Sequence, residues 1–165
     1  GLEDDAVRTV VKHAAFLQLV RGRRLRLQRT EPNIGALATA LADPVNPVTA
    51  QYHLAFVASD TFYEHTHRYP GQRHDWQADV DPLLSHAQTY CARIGLDLSD
   101  SDRVRLQHAC YELTRGAHSD TPSTAAYLGG VAAQEVIKIL TVQYIPLDNT
   151  CVYDGIVQAV SSFRL

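Results

Sequence analysis

The sequence predicts a mainly α-helical chain closed by a small C-terminal antiparallel β meander, an α+β arrangement. Three observations carry this. Apolar residues recur at helical spacing through the first three quarters of the 165 residues. Polar–proline start signals and glycine stop signals bracket those runs. The chain then ends in β-prone runs divided by Asp148–Asn149 and Asp154–Gly155, residues that tolerate positive φ.

In chain order, Val7, Val10, Val11, Ala14, Leu17, Val20 and Leu25 predict one helix from Asp4 to about Leu27. Its end is basic, with Arg21, Arg23, Arg24, Arg26 and Arg29. A short helix covers Ile34 to Leu41. Asn46–Pro47 opens the next helix, which carries Tyr52, Leu54, Phe56, Val57 and Phe62 and stops before Tyr69–Pro70–Gly71. Asp75 is placed to cap a helix carrying Trp76, Val80, Leu83, Leu84, Ala87, Tyr90, Cys91 and Ile94, with Gly95 at its left-handed end. Another helix spans Asp100 to Arg115 and ends at Gly116. Thr121–Pro122 starts a small-residue helix to Leu140. Three strands follow, at Tyr144–Leu147, Thr150–Tyr153 and Ile156–Phe163. Three short strands are marginal alone. The 122–140 helix is expected over one face, Pro146 belongs at an edge, and an outer strand is left without a partner.

Composition narrows the function. A 45% hydrophobic, 20% charged chain is not disordered. No run of 18 apolar residues offers a membrane span. The net charge of −3 argues against a general nucleic-acid binder. Cys91, Cys110 and Cys151 are far apart with no CxxC pair, which reads as reduced thiols in an intracellular protein. The chain starts at Gly1 and holds no methionine, so it reads as a trimmed piece of a longer protein.

Few residues point to chemistry. His65 and His67 are two apart and diverge on a helix, and no HExxH or Cys/His zinc spacing occurs. The cysteines fall on apolar helix faces or inside a strand, so burial is expected, not a nucleophile. No GxSxG elbow is present. The segment holding Arg21, Arg23, Arg24 and Arg26 reads either as a solvated helix end or as a surface for an acidic partner. Adjacent Gly129 and Gly130 cost a helix about 2 kcal/mol relative to alanine. That cost fits either a kink or the close approach of another backbone over Gly129, Gly130, Ala132 and Ala133.

The tail STAAYLGGVAAQEVIKILTVQYIPLDNTCVYDGIVQAVSSFRL resembles the C-terminus of the ubiquitin-activating-enzyme family, where a GGxxAQEVIK helix precedes a strand meander. Within it, the likeness runs to the neddylation branch and to its regulatory subunits. It rests on Asn149, Thr150, Tyr153, Gly155, Gln158 and Phe163–x–Leu165, with Ala15–Phe16–Leu17, Val20–Arg21–x–Arg23 and Arg68–Tyr69–Pro70–Gly71 upstream. Asp148, Cys151 and Ile156 depart from the family at packing and turn positions.

The resemblance implies residues 1–120 as a helical insertion and 121–165 as the closing helix and meander of a catalytically inactive, Rossmann-like (ThiF-like) pseudo-adenylation domain. It makes Gly129, Gly130, Ala133, Gln134, Glu135 and Lys138 packing residues. It implies no catalytic, cofactor or metal residue in this chain, with ATP and magnesium held by a catalytic partner subunit. The implied partners are that subunit and, through the assembly, a ubiquitin-like modifier, with no nucleic acid and no membrane. A eukaryotic protein of cytoplasm and nucleus follows. The competing expectation is a free-standing helical interaction module, or the same segment of a ubiquitin- or SUMO-type enzyme.

Overall fold

The computed structural model describes residues 4–16, 23–45, 48–119 and 121–165. Over these the periodicity resolves into α1 (Asp4–His13, continued by a 3-10 turn at Ala14–Phe16), α2 (Leu25–Thr30), α3 (Ile34–Leu41) and α4 (Thr49–Thr66). Then come α5 (Val80–Ile94, after a 3-10 turn at Gln77–Asp79), α6 (Asp100–Arg115) and α7 (Pro122–Thr141). Strands β1 (Thr150–Asp154) and β2 (Ala159–Phe163) close the chain. Among the described residues no helix is long and apolar enough to cross a membrane.

Helix α4 is the centre. It buries Ala50, Leu54, Ala55, Val57, Ala58 and Phe62 on more than one face, as a helix surrounded by neighbours must. Leu83, Ala87, Tyr90 and Cys91 of α5 meet it, as do Leu106, Ala109 and Cys110 of α6 and Leu37 and Leu41 of α3. The hairpin joins the same core through Val152, Phe163 and Leu165. The regions predicted as 1–120 and 121–165 therefore meet in one core.

Local signals set several boundaries. Asn33 caps α3 by accepting the Ala36 N–H at 3.1 Å, and Ser99 caps α6 by accepting the Asp102 N–H at 3.2 Å. Gly95 ends α5 in the left-handed region at φ 72°.

The sequence expectations need four corrections. The first predicted helix does not run to Leu27: Arg24 is extended at φ −63°, ψ 131°, and α2 starts anew at Leu25. The Asn46–Pro47 start signal lies outside the described residues. Asp75 caps nothing, and α5 begins only after the 3-10 turn that holds Asp79. The meander has two strands, not three. Tyr144–Leu147 is no strand, because the Leu147 N–H goes to the Glu135 carboxylate at 2.7 Å instead of to a ladder. Strand β2 starts at Ala159 because Asp154 Oδ1 takes the Ile156 N–H at 2.8 Å and holds a turn through Gln158. The two strands pair antiparallel, Thr150 opposite Phe163 and Asp154 opposite Ala159.

One long-range tie fixes the 68–79 connection. Asp79, 4% exposed, accepts from both terminal guanidinium nitrogens of Arg68, Nη2 to Oδ1 at 2.6 Å. It also accepts the Gly71 N–H at 2.9 Å. The bidentate Arg68 partner holds the Asp79 carboxyl below its ordinary range, with the Gly71 N–H adding to it. Gly71 sits at φ +81°, and a Cβ there would fall 2.0 Å from the Thr114 carbonyl oxygen, so only glycine lets this turn lie on the end of α6. Asp79→Ala, which strands a guanidinium and an N–H, is expected to cost about 3 kcal/mol in urea unfolding at neutral pH. A loss below about 0.5 kcal/mol would place the anchor of this turn elsewhere.

Candidate partner-binding surface

Helix α7 carries the residues the sequence singled out, and none of its side chains is buried. It is unbroken from Pro122 to Thr141, so the glycines mark no kink. A Cβ built on Gly129 or Gly130 meets nothing within 4 Å, which leaves the predicted close approach open to another body. Ala133 and Gln134 are exposed. Glu135 and Lys138 pair at 2.6 Å. They are the only charged residues on the helix. Glu135 ties α7 to the return segment through the Leu147 N–H. The Lys138 bond, then that N–H, lower the carboxyl's pKa. Past this tie the apolar surface continues, with Ile139 at 62%, Leu140 at 76% and Val142 at 88% exposed. One contact lays α7 on the hairpin face away from the core. The Tyr127 and Tyr153 rings lie 4.5 Å apart, so the predicted cover of that face is partial.

The remaining motif residues fix loops. Asn149 Nδ2 donates to the Leu165 carbonyl at 2.8 Å and its Oδ1 accepts the Leu165 N–H at 3.0 Å, an amide standing in for a strand partner. Thr150 Oγ1 donates to the same Oδ1. Gly155 lies where a Cβ would approach Thr124 Oγ1 at 3.3 Å, and Gln158 takes φ 56°.

The arginines divide. Arg21 lies outside the described residues. Arg23 Nη2 donates to the Glu31 carbonyl at 2.6 Å. Arg24 and Arg26 are exposed. Arg29 pairs with Asp60 at 2.6 Å across to α4. Beside that pair lies a groove of about 630 Å³, lined from α2, α4, the 69–72 turn, the end of α6 and the start of β1. The sequence reading missed it, and also missed His53 in its wall. The His53 Nε2 is buried without a hydrogen-bond partner, and its ring meets Phe163 edge-on at 5.8 Å.

The other candidates are packed or hydrogen-bonded within the described chain. Burial pushes the thiols of Cys91 and Cys110 up to about 11 and about 12, which keeps them protonated. Cys151 is half-buried, not buried as expected. His65 Nδ1 donates to the Thr61 carbonyl at 2.8 Å and its ring stacks on His86. Among the described residues no group of three His, Cys, Asp or Glu is placed to hold a metal.

Burial, helped by Arg29, lowers the His53 pKa from 6.5 to about 4. Above pH 6.5 the ring is neutral folded and unfolded. As pH falls from 6.5 to 4 only the unfolded chain takes the proton, so stability declines, by up to about 3 kcal/mol. Urea titrations at pH 7 and 4.5 are expected to show this decline, and His53→Gln to remove most of it. An unchanged slope in the variant would assign the acid sensitivity to other groups.

No protein-family model matches the chain. Curated relatives do. The Nedd8-activating enzyme E1 regulatory subunit of Drosophila melanogaster is 30% identical over 165 residues, all of this chain and 30% of its own length. The NEDD8-activating enzyme E1 regulatory subunit AXR1 of Arabidopsis thaliana is 27% identical over 150 residues, 91% of this chain and 27% of its own. A shorter match, 29% over 116 residues, reaches Ubiquitin-activating enzyme E1 1 of Schizosaccharomyces pombe, covering 70% of this chain and 11% of that one. The chain thus spans about three tenths of the length of the regulatory subunits it matches. Along its whole length the chain is homologous to part of the NEDD8-activating enzyme E1 regulatory subunits.

Proposed function

We propose that the chain serves as a segment of the non-catalytic regulatory subunit of a heterodimeric enzyme that activates a ubiquitin-like modifier of the neddylation type. The observation that carries this is α7, a 20-residue helix with no buried residue and a single internal ion pair. Such a helix stays exposed in water only at a cost and is built to be covered. In this reading residues 121–165 complete a pseudo-adenylation domain, residues 1–120 form a helical insertion, and the cover over α7 comes from the rest of the subunit. The catalytic partner binds ATP and magnesium and adenylates the modifier, while this chain contributes surface. The setting is cytoplasm and nucleus.

A free-standing interaction module is the second reading. It is favoured by the hairpin, whose Val152, Phe163 and Leu165 complete a core with α3 to α6 inside this chain. The two readings part at Gly130. In the isolated chain Gly130→Ala should be neutral or raise stability by up to about 1 kcal/mol, because the new methyl meets open space and alanine favours the helix.

In the full-length subunit, Gly130→Leu should lower recovery of the heterodimer on co-purification with the catalytic subunit. Modifier-dependent ATP–pyrophosphate exchange should fall with it. A full-length variant that assembles and exchanges like wild type favours the free-standing module. Absence of any complex between the wild-type subunit and a folded catalytic partner overturns the first reading.

A further inference from the structure

The groove beside α2 has a chemical character that the assembly reading does not use. Its walls are apolar where they are most open: Leu25 is 73% and Phe56 51% exposed, with Tyr69, Pro70 and Leu113 beside them. Its polar lining leaves no carboxylate unpaired. Asp60 is the one carboxylate among its lining residues, and Arg29 already neutralises it. Gln72 Oε1 accepts the Tyr69 N–H at 2.9 Å, which leaves its amide N–H groups to give.

The rim leans the same way. Arg24 and Arg26 flank Leu25, and Arg73 follows Gln72, all three exposed. On the acidic side Glu31 stands past the end of α2, while Asp148 is taken by Arg164 at 3.1 Å. A chain of net charge −3 thus carries exposed cations next in sequence to residues that line an apolar slot.

We propose that this groove docks an extended acidic segment of a partner protein. One aliphatic or aromatic side chain of that segment sits among Leu25, Phe56 and Tyr69, and its carboxylates meet Arg24, Arg26 and the open edge of Arg29. An apolar anchor supplies most of the affinity, and the charges supply the preference for acid over base. A nucleic acid fits less well. The exposed aromatic faces of its lining are Phe56 and Tyr69, not a run of faces for successive bases.

The test is fluorescence anisotropy on this chain with three labelled probes. They are the peptide Asp-Glu-Asp-Leu-Phe-Asp-Glu-Asp, its counterpart with Lys and Arg at every acidic position, and an oligothymidine of the same charge. The acidic peptide is expected to bind at least about tenfold tighter than either other probe, and to weaken as salt rises from about 50 to about 500 mM. Arg24→Glu with Arg26→Glu should weaken it about tenfold, and Phe56→Asp by a similar factor. All three positions are exposed, so circular dichroism should be unchanged. No saturable binding, equal binding of the basic peptide or the oligothymidine, or affinity unmoved by both variants overturns the proposal. Sedimentation showing a dimer that Phe56→Asp dissolves overturns it too, because the occupant would then be a second copy.

Discussion

Helix α4 has to be covered on most of its sides, and most of the fold follows from that. Ten of its residues are buried, among them Ala50, Leu54, Ala55, Ala58 and Phe62, and they do not share one face. No single neighbour can bury such a helix. Helices α3, α5 and α6 and the hairpin each take a sector, and the alanines let them come close. The polar residues caught inside are answered in part. Gln51 Nε2 donates to Asp102 at 3.2 Å, and Ser59 Oγ to the Phe56 carbonyl at 2.7 Å. The hairpin is therefore a wall of the helical core as much as the end of a sheet.

Helix α7 is the inverse case. It is as apolar as α4, yet its neighbours leave it open. Burying a side chain such as Ile139 or Leu140 is worth about 2 kcal/mol. The apolar surface from Tyr127 to Ile145 thus represents burial that this chain does not complete. The homology offers the same account from another direction, because the matched relatives extend well beyond the matched stretch. Under the proposed function, α7 does for a larger body what α4 does for this chain.

Local chemistry was legible in the sequence, and long-range competition was not. The bounds of α3 and α6 follow from Asn33, Ser99 and the apolar spacing, and the stop at Gly95 from its freedom at positive φ. The misread positions share a cause. Tyr144 and Ile145 favour a third strand at 144–147, but the Glu135 carboxylate, twelve residues upstream, takes the Leu147 N–H. The start of α5 depends on Asp79, whose partner Arg68 lies eleven residues back. Of the binding surfaces, the arginine stretch and the glycine pair were visible as composition. The groove was not, because five elements build it and His53 looks like any helical histidine.

These side-chain substitutes for backbone pairing fall in the segments that carry the family likeness. Arg68 and Gly71 belong to the RYPG turn, Glu135 to AQEVIK, and Asn149 to the NTxxYxG stretch. In each, a side chain bonds a loop or the chain end: Asp79 takes the Gly71 N–H, Glu135 that of Leu147, and Asn149 both polar groups of Leu165. Glu135 and Asn149 are consumed by the loops they hold, and the lowered pKa of Glu135 and of Asp79 reflects that engagement. The Glu135 and Asn149 motifs thus hold α7, the return segment and the hairpin together, and the RYPG turn is held on the end of α6. Under the proposed function, that fixed geometry is what lets α7 present its apolar surface to a larger body.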